Sequence, residues 1–368
     1  MNDHEPMRIL HVLTGMNRAG TETMLMNLYR KMNREKIQFD FAVTATQRCD
    51  YDDEIESMGG KIIRYPRYRV VNHFAYVRWW KDFFPRHPEY RIIHGHIGST
   101  AAIYLAIAKR NGRFTIAHSH STGMNVPYKL YSYPTRYVAD YFMACTKDAM
   151  ISRYGKKVAG NPAISSILYN GIDVLQYKYN EAVRRSVRTE LGIRPETFVV
   201  GTVGRIIDEK NPFFIVDVLY ELRQKEPDFR FLWAGTGELK EDVERDIEQK
   251  GLRDNVLLLG LRDDIPRVLQ AMDAFIFPSK YEGLGVAAVE AQAAGLLTLL
   301  SDKIPEETKL TSECQFLPID SPKPWAESLL KKKSFRRIEN AADDVIKAGY
   351  DVCNTASWLA DFYQNKWR

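Results

Sequence analysis

The chain has 368 residues, 45% apolar and 27% charged, a balance that excludes disordered and fibrous proteins and fits about two globular domains. The net charge is 52 − 47 = +5, unevenly spread: residues 1–175 hold 24 basic and 15 acidic side chains (net +9), the remainder 28 and 32 (net −4). One lobe is expected to meet something anionic, but the basic residues are too sparse for a nucleic-acid stripe, so no nucleic-acid partner is expected. Four scattered cysteines, Cys49, Cys145, Cys314 and Cys353, form no CxxC pair and fit a reducing compartment. The start, MNDHEPMRILHVL, lacks the positive charge of a signal peptide. The longest apolar stretch, Val286 to Leu300, is broken by Glu290 and Gln292, so a cytosolic chain without a membrane span is expected.

Short apolar runs alternate with amphipathic stretches along the chain. Strands are expected at 8–13, 39–45, 61–65, 91–96, 114–120 and 141–146, with helices between most of them, including 21–31, 73–84 and 101–109. The pattern restarts at 198–205 and continues at 230–235, 255–260, 274–279 and 296–301, with helices near 212–226, 238–250, 264–271 and 286–294. Strands alternating with helices imply crossovers and parallel sheets. The charged stretch 176–197 reads as the connection between two lobes. Ligands of such sheets sit beyond the carboxyl ends of the strands, so the residues that follow each strand are the candidates.

After the first strand comes Gly15-Met16-Asn17-Arg18-Ala19-Gly20-Thr21-Glu22, a turn feeding a helix whose free N–H groups suit an anion. It is not a dinucleotide fingerprint, because its glycines stand five apart. The second lobe opens with Gly204-Arg205 and Lys210-Asn211-Pro212; two cations bracketing a helix start can hold a diphosphate by charge, although solvated surface charge reads equally well. Next, Glu282 precedes a glycine-rich turn, and Glu290 follows eight residues on, within an Ala/Val-rich helix. An acid there is costly unless it is paired or binds something. Asp50-Tyr51-Asp52 has the letters of a metal motif, but it lies in a charged loop and reads as solvated surface.

These elements stand in a recognisable order: RAGTE, LYNGID (168–173), GR-x4-K, AGTGE (234–238), LLGLRDDI (258–265) and PSKYEGLGVAAVEAQAAG (278–295). Together they resemble the family 4 retaining glycosyltransferases of GT-B architecture. That fold has two Rossmann-like, doubly wound parallel-sheet lobes facing an interdomain cleft. The opening HVLTGMNRAGTETMLMNLYRKMNREKIQFDF is similar to bacterial exopolysaccharide and capsule glycosyltransferases.

The resemblance implies an acceptor-binding lobe over 1–175, a donor lobe over 176–354, and a final helix at about 355–368 returning to the first. Arg205 and Lys210 would grip the donor's diphosphate, and Glu290 would accept hydrogen bonds from the ribose. Glu282 would bind hydroxyls of the transferred sugar. Backbone groups of Gly283, Leu284 and Gly285 would contact sugar and phosphates, while those of Leu261 and Arg262 would cradle the base. The family's turn falls on Ala19, Gly20 and Thr21; many members have Gly-Gly there, so Ala19 is a departure. The strand-end histidine falls on His118, with His120 two residues on as the alternative.

The implied reaction is retaining hexosyl transfer from a nucleotide-diphosphate sugar, with uridine the expected base. The acceptor would be a glycan or a polyprenyl-linked glycan. No cofactor is expected, and no metal. Competing readings are a nucleotide-sugar 2-epimerase on the same scaffold and a non-catalytic subunit of an assembly complex. Finally, basic and aromatic residues mix between Arg64 and Arg91, which suits an anionic membrane surface, with several of the aromatics needed for the lobe's own core.

Overall fold

In the computed structural model, which describes residues 5–120, 133–331 and 337–367, the chain divides into two units. The first comprises Met1–Gly171 with Val352–Arg368, and the second Ile172–Asp351. Each is built on a parallel sheet with helices between successive strands.

The first unit has strands β1 (Met7–Leu13), β2 (Ile37–Val43), β3 (Ile62–Arg64), β4 (Ile92–Gly95), β5 (Phe114–Ser119), β6 (Tyr141–Ala144) and β7 (Ser165–Ile167), in the order β3-β2-β1-β4-β5-β6-β7. β2, β4 and β6 are buried along their whole length, the mark of a sheet covered on both faces. Alternation sorts the side chains. Ile9, Leu13, Ile92 and Ile116 join the core under helices Gly20–Lys31 and Val352–Lys366, whereas Leu10, Val12, Ile93 and Ala117 join the opposite core with Trp80 and Tyr104.

The second unit has β8 (Phe198–Val203), β9 (Phe229–Ala234), β10 (Val256–Gly260), β11 (Ala274–Phe277), β12 (Leu297–Ser301) and β13 (Cys314–Leu317), in the order β10-β9-β8-β11-β12-β13. In each sheet the winding reverses once, between β1 and β4 and between β8 and β11. Ligand crevices of doubly wound sheets form at such switch points.

Two expectations are corrected. The stretch 176–197 is part of the second unit and contains a helix, Glu181–Glu190. Its Arg188 is buried and donates to the carbonyls of Ala271 and Thr197, and both Arg184 and Arg188 pair with Asp273. Arg337 donates to the carbonyls of Leu269, Gln270 and Met272. Guanidiniums thus satisfy the orphan carbonyls at the end of helix Ile265–Ala271.

Second, Asp52 is not solvated surface. It is fully buried at the start of helix Asp52–Ser57, where it accepts from the amide of Cys49 and from Arg64. Several aromatics of helix His73–Arg86 pack into the core, as the sequence required: Tyr76, Trp80, Phe83 and Phe84 are buried. Only Phe74, beside Val70 and Val71, is strongly exposed. No helix among the described residues is long and apolar enough to cross a membrane.

Candidate active site

The second unit's candidate residues gather at the β8/β11 switch point. Three backbone bonds lash the loop after β8 to the AGTGE turn: Gly204 N–H to Ala234, Ile206 N–H to Thr236 and Leu239 N–H to Ile206. The approach is so close that a Cβ on Gly235 would lie 2.0 Å from the carbonyl oxygen of Gly204, and one on Gly237 2.3 Å from that of Ile206. The glycines of that turn therefore fix the path of the loop that carries Arg205. Arg205 is exposed, with no hydrogen bond or ion pair among the described residues.

Lys210 ends a single helical turn, and Asn211, in the left-handed region at φ 56°, redirects the chain into helix Pro212–Arg223. The Lys210 ammonium reaches Glu282, 72 positions on, and lies 4.6 Å from the centre of the Phe277 ring. Two of the sequence-predicted residues are thus in direct contact. Gly285 takes φ 78° and opens helix Val286–Ala293 without a side-chain cap, so its first N–H groups have no side-chain acceptor.

Glu290 is on that helix. Its partner is Tyr177, whose hydroxyl donates to Oε1 at 2.8 Å. Burial pushes the Glu290 carboxyl up to about 7, against the opposing effect of the Tyr177 bond. Sequence reasoning had considered an ion pair for this acid and missed Tyr177. After β10, Leu261 is highly exposed, and Arg262 pairs with Asp264 at 2.7 Å. The Arg262 side chain is therefore tied down, and its place in the site is a matter of backbone alone.

In the first unit, Ala19 and Gly20 open helix Gly20–Lys31, again without a side-chain cap. A Cβ on Gly20 would meet nothing within 4 Å, and its φ is not positive. The fold has no need of a glycine there. Beside this turn lies a cavity of about 1090 Å³, whose lining includes Asn17, Glu22, Tyr65, Arg67 and Arg69.

His118 and His120 are at the end of β5, and with them the structure assembles three histidines that sequence reasoning missed. His11 on β1 stands opposite His94 on β4, and His94 opposite Ile116 on β5. With a period of two, His11, His94, His96, His118 and His120 all point to one face. They form two hydrogen-bonded chains. His11 Nδ1 meets His96 Nε2 at 3.0 Å, and His96 Nδ1 meets His120 Nε2 at 2.8 Å. Tyr363 Oη meets His94 Nδ1 at 2.6 Å, and His94 Nε2 meets His118 Nδ1 at 3.1 Å.

Burial holds all five imidazoles neutral, with His11 and His120 lowered to about 3 and the others well below their ordinary value. The repeated HGH and HSH were the signal that could have found the cluster. Two trios, His11/His94/His96 and His96/His118/His120, have nitrogens within 4.8 Å of one another and are the candidate metal-ligating groups among the described residues. Both nitrogens of His94 and of His96 are engaged in the chains, whereas His11 Nε2, His118 Nε2 and His120 Nδ1 have no partner among the described residues.

Residues 183–313 match the family model of glycosyl transferases group 1. The chain is 32% identical over 372 residues to EpsF of Bacillus subtilis (strain 168), named as a glycosyltransferase, covering 97% of this chain and 96% of that one. It is 34% identical over 152 residues to the Escherichia coli UDP-Gal:alpha-D-GlcNAc-diphosphoundecaprenol alpha-1,3-galactosyltransferase, covering 40% of this chain and 39% of that one. The Anabaena Alr3699/HepE structure in complex with UDP shares the fold, with a TM-score of 0.81 at 17% identity over 98% of this chain and all of the other. The chain belongs to the group 1 glycosyltransferases, of family 4 type and GT-B architecture.

Proposed function

We propose that the chain is a retaining glycosyltransferase that moves a sugar from a UDP-sugar to a lipid-linked glycan during assembly of a surface polysaccharide. The observation that carries this is the meeting of Lys210 with Glu282, with Arg205, on the same loop as Lys210, making no ion pair or hydrogen bond among the described residues. These are the family's motif residues, 72 positions apart in sequence and adjacent in space. The UDP held by HepE and the diphosphoundecaprenol acceptor of the Escherichia coli relative support the choice of donor and acceptor.

On this reading Arg205 and Lys210 bind the diphosphate, and the free N–H groups after Gly285 add to the field around it. Glu282 holds the sugar's hydroxyls and restrains Lys210. Glu290, steadied by Tyr177, accepts from the ribose. No protein nucleophile is used. The bond from the anomeric carbon to the phosphate oxygen breaks while the acceptor oxygen forms its bond on the same face. The acceptor's proton passes to the departing phosphate. Charge stabilisation falls to the two cations, so no metal is required. His118 donates to the sugar, and the cavity lined by Arg67 and Arg69 receives the acceptor's anionic end.

The decisive assay follows the products. UDP release that depends on a prenyl-diphosphate glycan, with the anomeric configuration kept, is expected. Conversion of the donor alone would make the protein an epimerase. The exposed Val70, Val71 and Phe74, flanked by Arg67 and Arg69, give this reading a peripheral contact with the membrane that holds the acceptor. Sedimentation with anionic vesicles at low salt should carry the protein down, and Arg67→Glu with Arg69→Glu should leave it in the supernatant. A wild-type protein that stays in solution removes the membrane contact from the proposal.

A further inference from the structure

Two hydrogen-bonded chains of imidazoles run side by side beneath one face of the first sheet, and they differ in how they end. In the chain His11–His96–His120, both terminal nitrogens, His11 Nε2 and His120 Nδ1, are buried without a partner. A neutral imidazole carries one N–H and one lone pair, so the N–H groups can all point one way along this chain or all the other way. Neither end has a hydrogen-bond partner among the described residues to select a direction, and the charge felt at the His120 end is that of Arg153.

The second chain is different. Tyr363 is fully buried on helix Val352–Lys366, and His94 is its hydrogen-bond partner among the described residues. Burial raises the phenol well above its ordinary range, so the hydroxyl keeps its proton. If Tyr363 accepted from His94, its proton and the His118 Nε2 lone pair would both be left buried without a partner, one orphaned group more than in the reverse arrangement, at a cost of about 1–3 kcal/mol. The hydroxyl therefore donates to His94 Nδ1. His94 must then carry its hydrogen on Nε2 and donate to His118 Nδ1. His118, its Nδ1 occupied as an acceptor, must carry its own hydrogen on Nε2, a nitrogen with no partner among the described residues.

We infer that Tyr363, acting through His94, is a positioning residue that fixes His118 as a neutral Nε2–H donor rather than a base. This rests on the reading that His118 faces the donor sugar, but the tautomer itself does not. With its tautomer fixed, His118 can donate to a sugar hydroxyl or to a developing negative oxygen, and it cannot compete with the leaving phosphate for the acceptor's proton. That division of labour suits a transfer in which the phosphate is the base.

Nitrogen-15 spectra of the full-length, histidine-labelled protein near pH 7.5 test it directly, with His118 assigned from its absence in His118→Asn. The wild type is expected to show His94 and His118 both as Nε2–H tautomers. In Tyr363→Phe, which keeps the ring against Phe39 and His11, both should become mixtures that shift together. Turnover should fall about tenfold, the equivalent of one hydrogen bond lost in the transition state, with the donor KM within twofold. An Nδ1–H tautomer at His118 in the wild type, a result that needs no variant, would overturn the inference. So would a His118 signal unchanged in Tyr363→Phe. A changed tautomer with full turnover would uphold the relay and overturn instead the placing of His118 against the donor.

Discussion

At the switch point of the first sheet, β1 and β4 carry neutral imidazoles joined in chains; at that of the second, the segments after β8 and β11 carry Arg205, Lys210 and Glu282. The backbone plan is the same and the chemistry is not. Imidazoles stripped of water act by the direction of their hydrogen bonds, and that direction is set by a neighbour such as Tyr363. On the proposed reading the second unit's charges hold a ligand by attraction and need only the right place, and the close approach of Gly235 and Gly237 fixes the path of the loop that carries Arg205. One sheet is built to orient and the other to grip, which is what transfer between a diphosphate donor and a separate acceptor asks for.

The contrast can be broken most sharply at the charges. Lys210→Ala and Glu282→Ala should each lower turnover by about 10²–10³-fold, the size of effect seen when one stabilising group is removed from developing charge. Steady-state rates at saturating donor check this, and a loss below tenfold would remove these residues from the chemistry.

Glycines give the next largest effect. Gly235→Ala forces a Cβ to within 2.0 Å of Gly204 and should destabilise the second unit by about 3 kcal/mol. Gly20→Ala meets nothing within 4 Å and should be neutral or stabilising by less than about 1 kcal/mol, while raising the donor KM. Urea melts with donor titrations separate the two. A Gly20→Ala protein with unchanged KM would show that no ligand comes close to that turn.

Acid should then tell the units apart. His11 and His120 take up protons in the unfolded chain near 6.5 and in the folded chain near 3, so the stability they contribute is complete above pH 6.5 and falls as pH drops below it. At pH 5 each has withdrawn about 2 kcal/mol. Glu290 has the opposite sign. Its carboxyl is raised to about 7, so its contribution is complete below about 4.5 and is lost as pH rises through 7. Hydrogen exchange between pH 7.5 and 5 should show the first unit opening more readily and helix Val286–Ala293 not. Equal loosening of both would contradict the buried, neutral histidines.

Much of the fold was legible because strands buried on both faces read as short continuous apolar runs, as in β11. β7, SSI, and β13, CQFL, carry polar residues that interrupt such a run. Helix Glu181–Glu190 was hidden by its charge: EAVRRSVRTE reads as solvated until Arg188 is found capping carbonyls. The motif residues of the second unit were legible because their spacing along the loops and helix starts after β8 and β11 matches a known family's. The histidine chains were not, since they depend on the register of β1 against β4 and β4 against β5. Tyr363 stands 269 positions from His94, and nothing local in the sequence links the two.

The central claim is that the second unit grips a nucleoside diphosphate through Arg205, Lys210 and Glu290 without a metal, while Glu282 is reserved for the sugar. Calorimetry of UDP binding in excess EDTA tests it. The wild type should bind; Arg205→Ala with Lys210→Ala should not, and Glu290→Gln should bind weakly. Glu282→Ala should bind at least as tightly as the wild type, because removing that carboxylate releases Lys210 for the phosphates. Binding that appears only when magnesium or manganese is added, or an equal loss in the Glu282 and Glu290 variants, would contradict the account.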